Sequence, residues 1–81
     1  MNTRQLRHLL AVVEHGSVSA AADHVHLSQP ALSRSLRALE DELRAPLFDR
    51  HERRLVPTPF AQAYVARARR IVFEEAEGAR E

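Results

Sequence analysis

Cysteine is missing from this 81-residue sequence, which excludes disulfide bonds and thiolate metal sites and agrees with a reducing compartment. Long apolar runs are missing too. None approaches the roughly 20 residues that span a bilayer, and Met1-Asn2-Thr3-Arg4 leads into an amphipathic pattern with no signal-peptide core. A cytoplasmic location without membrane contact is therefore expected. There is no lysine: all 12 basic residues are arginine, the side chain better matched to planar, bidentate contacts with phosphate and guanine. Catalytic patterns are also lacking. The five histidines include no i, i+4 pair and no His-Glu-x-x-His set, and His24 and His26 beside Asp23 have the wrong spacing to share a helix face. Ser33 has no base at a fixed offset and no oxyanion loop. The chain is expected to be neither an enzyme nor a metal protein, and to need no cofactor.

What is present is the composition of one soluble globular domain, 44% hydrophobic and 28% charged, with a single small core. The net charge of +1 is unevenly spread. Residues 74–81 hold four acids (Glu74, Glu75, Glu77, Glu81) and one base, Arg80, so residues 1–73 keep 11 of the 12 bases against 7 of the 11 acids, a net +4.

The stretch from Ser17 to Leu43 organises the chain. Ser17 can cap a short helix that the Ala20-Ala21-Ala22 run propagates. After the His26-Leu27 corner Ser28 repeats the cap, and Pro30 falls in a first turn, where its missing N–H removes no helical bond. On a wheel of about 100° per residue, Leu32, Leu36, Leu39 and Leu43 form one stripe, with Pro30, Ser33, Arg34 and Arg37 opposite. In a lone helix that free face would read as solvated surface. Beside a capped helix and a tight corner, it suits the major groove of DNA, with Gln29 at its edge: Arg pairs with guanine or grips phosphate, and Gln pairs with adenine.

Around this pair, Asn2 and Gln5 have the form of a capping box, and Leu6, Leu9, Leu10 and Val13 recur at helical spacing, predicting a first helix over 3–15 that stops at Gly16. Its outward side is expected to carry Arg4, Arg7, His8 and Glu14. Ala45-Pro46 ends the long helix. Leu47–Arg50 and Arg54–Val56 then alternate around a polar tip as a β-hairpin with no Asn-Gly or Asp-Gly turn, and Pro57 closes the second strand. Thr58-Pro59 is a helix start, and the helix is expected to run to or near the end. Ala61, Tyr64 or Val65, Ala68, Ile71 or Val72 and Glu75 approximate two heptads. A helix that long has more apolar surface than the small domain before it covers, so a second copy is expected along Tyr64, Val65, Ala68, Ile71 and Val72. Acids at the negative end of the helix dipole suggest that the natural helix continues and that this chain is a fragment.

Arg4-Gln-Leu, Gly16-Ser17, Ala20-Ala-Ala, Leu27-Ser-Gln-Pro-Ala-Leu-Ser33, Leu36-Arg-Ala-Leu-Glu40, Pro46-Leu-Phe48, Arg50, Arg53 and Thr58 together resemble the N-terminal DNA-binding domain of LysR-type transcriptional regulators, over nearly the whole chain. The resemblance implies a mainly α fold, a winged helix-turn-helix of three helices and a short β-hairpin wing over 1–57, followed by a long linker and dimerisation helix over 58–81. It implies that Ser28, Gln29, Pro30, Ser33 and Arg34 approach the major groove, with Arg37 on the backbone. The wing arginines Arg50, Arg53 and Arg54 would serve phosphate or minor groove. The partners implied are double-stranded DNA with an imperfect palindromic operator and a second copy of the chain, or a tetramer in the full-length protein. Arg44 stands where the family usually has glycine, Glu52 occupies a wing-tip position often held by glycine, and Phe60-Ala61 replaces the usual Ala-Gly. The alternatives are the similar winged domain of molybdate-responsive regulators and a helix-turn-helix used only for protein association.

Overall fold

The helix starts carry the caps that their sequences supply, in a computed structural model that describes residues 1–51 and 54–79. The Asn2 carboxamide oxygen accepts from the Gln5 N–H at 2.9 Å, and the Gln5 side chain accepts from the Asn2 N–H at 3.1 Å, closing a capping box on α1 (Thr3–His15). Ser17 Oγ accepts from the Ala20 N–H ahead of α2 (Val18–Val25), and Ser28 Oγ from the Ala31 N–H ahead of α3 (Gln29–Leu43). Thr58 Oγ1 accepts from the Ala61 N–H at 3.1 Å, with Pro59 as the first residue of α4 (Pro59–Ala79).

Three of these helices end in the left-handed region, at Gly16 (φ 75°), His26 (φ 60°) and Arg44 (φ 55°). Glycine adopts it freely; a residue with a Cβ is disfavoured there by about 1–2 kcal/mol. Arg44 therefore leaves the helix exit as a glycine would, its N–H bonded to the Glu40 carbonyl.

The hairpin pairs β1 (Phe48–His51) with β2 (Arg54–Pro57) antiparallel, setting Phe48 opposite Pro57, Asp49 opposite Val56, Arg50 opposite Leu55 and His51 opposite Arg54. The strands are displaced from the expected Leu47–Arg50 and Arg54–Val56, because Leu47 is fully buried and its backbone is engaged outside the ladder. Pro57 is accordingly the last residue of its strand.

The core gathers Leu6, Leu9 and Val12 of α1, Ala21 and Ala22 of α2, Leu32, Leu36 and Leu39 of α3, and Leu47. Helix α4 lies along α1 and adds Ala61, Val65 and Ala68, all buried, with Tyr64, Ile71 and Val72 half-buried against the same cluster. This corrects the expected seam. Val65 and Ala68 are covered by the chain itself, while Tyr64, Ile71 and Val72 keep part of their surface open; a charge placed at Val65 or Ala68 would break the core and would not report on pairing. The outward apolar residues of α4 are Phe60, 40% exposed and stacked on Tyr64, and Phe73, 64% exposed.

Candidate nucleic-acid interface

Helix α3 separates two surfaces. Leu32, Leu36 and Leu39 are buried, while Pro30, Arg34 and Arg37 are exposed on the opposite side, as the wheel predicts, and the capping Ser28 and the first-turn Gln29 are exposed at the helix start. Ser33 is half-buried at the inner edge of that side, where it lines a groove between α3 and the hairpin with Leu36, Arg37, Glu40, Phe48 and Leu55. The outward surface thus offers two guanidinium groups one turn apart and a carboxamide, at the end of a helix whose dipole favours phosphate.

The hairpin is set beside this surface by Glu40 and Thr58, through bonds that no local pattern reveals. Glu40 Oε2 accepts from the Leu47 N–H at 2.7 Å, and the Leu47 carbonyl accepts from the Thr58 N–H at 3.0 Å. The Thr58 hydroxyl, buried at 6% exposure, donates to the Pro46 carbonyl at 2.8 Å while capping α4. The Pro46-Leu47 segment is therefore held from both sides, by the end of α3 and by the start of α4. Among the expected wing contacts, Arg50 and Arg54 occupy ladder positions opposite Leu55 and His51, whereas Arg53, like Glu52, lies outside the described residues.

His8 is the other correction. Expected on the solvated side of the first helix, it is instead 6% exposed, with Nδ1 2.6 Å from Ser35 Oγ of α3. Burial, and secondarily the nearby Arg4 guanidinium, hold its pKa below the ordinary value. Arg7 of the same helix pairs with Glu75 of α4 at 2.5 Å. Among the described residues, no group of three or more His, Asp or Glu is placed to hold a metal ion, and no helix is long and apolar enough to cross a membrane.

A helix pair on a tight corner, with its second helix turned outward beside a hairpin, defines the winged helix-turn-helix class of DNA-binding domain. Residues 3–62 match the model of the bacterial regulatory helix-turn-helix protein, lysR family, and the chain belongs to that family. It is 48% identical over 69 residues to the SDS degradation transcriptional activation protein of Pseudomonas sp., covering 85% of this chain and 22% of that protein. It is 43% identical over 72 residues to the regulator TfdS of Cupriavidus pinatubonensis, covering 89% of this chain and 24% of that protein. The chain thus spans about a quarter of the length of these curated relatives. Among solved structures, it resembles the CbnR DNA-binding domain in complex with DNA (TM-score 0.92, 37% identity, covering 98% of this chain and 91% of that one). It also resembles the BenM DNA-binding domain on benA site 1 DNA (TM-score 0.90, 34% identity, 98% and 89% covered). The chain is a LysR-type DNA-binding domain and not an enzyme. The family match favours this over the molybdate-responsive and protein-association readings.

Proposed function

We propose that this domain reads operator DNA with α3 in the major groove and the hairpin against phosphate or minor groove, within a transcriptional regulator that works in the cytoplasm, and that it needs no cofactor to do so. The observation that carries the reading is that Arg34 and Arg37 are exposed on the side of α3 opposite its buried leucines, with Gln29 exposed in the first turn at the edge of that side. Gln29 and Arg34 take the base edges, where removing one bidentate pair costs about 1–3 kcal/mol of discrimination. Arg37, Arg50, Arg53 and Arg54 take the backbone, where truncation weakens binding to all sequences alike.

Binding of Gln29→Ala, Arg34→Ala and Arg53→Ala to a duplex selected from a random pool, and to its scrambled counterpart, tests this. The first two should narrow the gap between the duplexes and the third should lower both affinities evenly; equal losses for all three overturn the assignment.

The reading includes a symmetric homodimer on an imperfect palindrome, with half-sites one helical turn or a multiple of it apart. Pairing falls to the outward side of α4, where Phe73 is exposed, since Val65 and Ala68 are enclosed. Phe73→Glu should lower the sedimenting mass of the DNA complex without changing the melting temperature of the free chain.

A further inference from the structure

Two polar side chains lie deep in the body, Thr58 and His8. Thr58 caps α4, whereas His8 caps nothing and stands apart from the outward side of α3. Its hydrogen bond joins α1 to Ser35 of α3, a residue 27 positions away that sits next to the outward Arg34. The core shared by the two helices is otherwise aliphatic, and aliphatic packing is non-directional. Rolling a helix by about 20° changes little of what it buries, yet moves a side chain on a helix of roughly 6 Å radius by about 2 Å. Hydrogen bonds to base edges tolerate only a few tenths of an ångström. A directional contact between α1 and α3 is thus what the outward side of α3 requires.

We propose that His8 is a positioning residue for DNA recognition: its hydrogen bond to Ser35 fixes the roll of α3, and so the place at which Gln29 and Arg34 meet the duplex. The inference rests on α3 being the helix that enters the major groove. The imidazole is neutral at pH 7, because burial and Arg4 lower its pKa. Arg4 is the charged neighbour that acts on the ring. Glu42 of α3 pairs with the N-terminal ammonium, and Glu75 of α4 pairs with Arg7. On α2, Asp23 is exposed, and the His24 ring lies against His15 at the far end of α1. Protonation puts a hydrogen on both ring nitrogens, which restricts Nδ1 to donating toward Ser35 Oγ, and it places a positive charge in a buried ring beside Arg4. The stability that the neutral ring contributes is complete above its ordinary value of 6.5 and is lost as the pH falls through the lowered one.

The test uses the 81-residue chain, the selected and scrambled duplexes, and the variants Ser35→Ala, His8→Phe with Ser35→Ala, and His8→Asn. The double variant removes both polar partners and should melt near the parent temperature, since an unpaired buried group is what destabilises. Its preference for the selected duplex should still fall roughly tenfold, with scrambled binding little changed. His8→Asn, whose carboxamide reaches the place of Nδ1, should keep the preference and lack the additional decline in selected-duplex binding that the parent shows as the pH falls below 6.5. The other histidines are common to both chains, so their charging cancels in that comparison. A cooperatively melting double variant with undiminished preference overturns the proposal, as does a His8→Asn chain with the parent's pH profile. If Arg34→Ala also leaves the preference intact, the fault lies in the reading of α3 and not in His8.

Discussion

In α1, α2 and α3 each N-terminus is closed by a side chain three residues from the group it binds, whereas the hairpin is placed by Glu40 and Thr58 from 7 and 12 residues away. The helices also enclose Leu6, Leu9, Leu32, Leu36 and Leu39 at 0–5% exposure, while the hairpin presents Val56 at 41% and keeps Phe48 and Leu55 only half-buried. The two regions are adjacent in space and different in kind. One is held by burial and by caps encoded beside the backbone they satisfy; the other borrows its position from the ends of α3 and α4.

The largest break in this contrast should come from Leu39→Ala. The side chain is fully enclosed, and its truncation leaves a cavity, with an expected loss of about 2–5 kcal/mol in urea unfolding. Helices and hairpin should be lost together. A hairpin that outlasts the helices would reverse the dependence of one region on the other.

A smaller loss, about 1.5–3 kcal/mol, is expected for Glu40→Ala, which removes a charge-assisted bond and leaves the Leu47 N–H unpaired. Native-state hydrogen exchange should quicken across Phe48–His51 and Arg54–Pro57 and stay slow at Leu9 and Leu36. Uniform acceleration would mean that Glu40 supports the whole body and that the hairpin is no separate unit.

The smallest effect sharpens the contrast from the helical side. Arg44→Gly relieves a left-handed residue at φ 55°. After the entropy that glycine loses on folding, it should stabilise the chain by about 0.5–1 kcal/mol, read as a raised melting temperature with hairpin exchange unchanged relative to the rest.

The same division decides what is legible in the residues alone. The capping pairs Asn2 with Gln5 and Ser17 with Ala20, the Ser28 cap, the Thr58-Pro59 start and the leucine stripe of α3 are short-range, so spacing reveals them. Arg34 and Arg37 follow from the stripe, since a helix with one buried side exposes the other, and Gln29 follows from the Ser28 cap that places it in the open first turn. His8 escapes such reasoning because a polar residue is buried only with a partner, and Ser35 is too distant in sequence to be paired with it by pattern. Glu40 and the second bond of Thr58 are invisible for the same reason. The α4 seam misleads in the opposite way. Its heptads are real, but Ala61, Val65 and Ala68 are buried within the chain itself, and heptad spacing does not distinguish a neighbour in the chain from a second copy.

The two-sidedness of α3 also bears on how this domain can change over generations. Substitutions at exposed helix positions usually stay within about 0.5 kcal/mol of neutral, whereas those at enclosed leucines do not. Gln29, Arg34 and Arg37 can therefore drift without endangering the chain, and selection acts on them through what they bind. Leu32, Leu36 and Leu39 are screened earlier, by whether a lineage that alters them still folds at all. If the outward residues of α3 read the operator as proposed, one helix carries a freely editable address on an almost unalterable support, and a regulator can move to a new operator by changing a few of them while inheriting everything beneath.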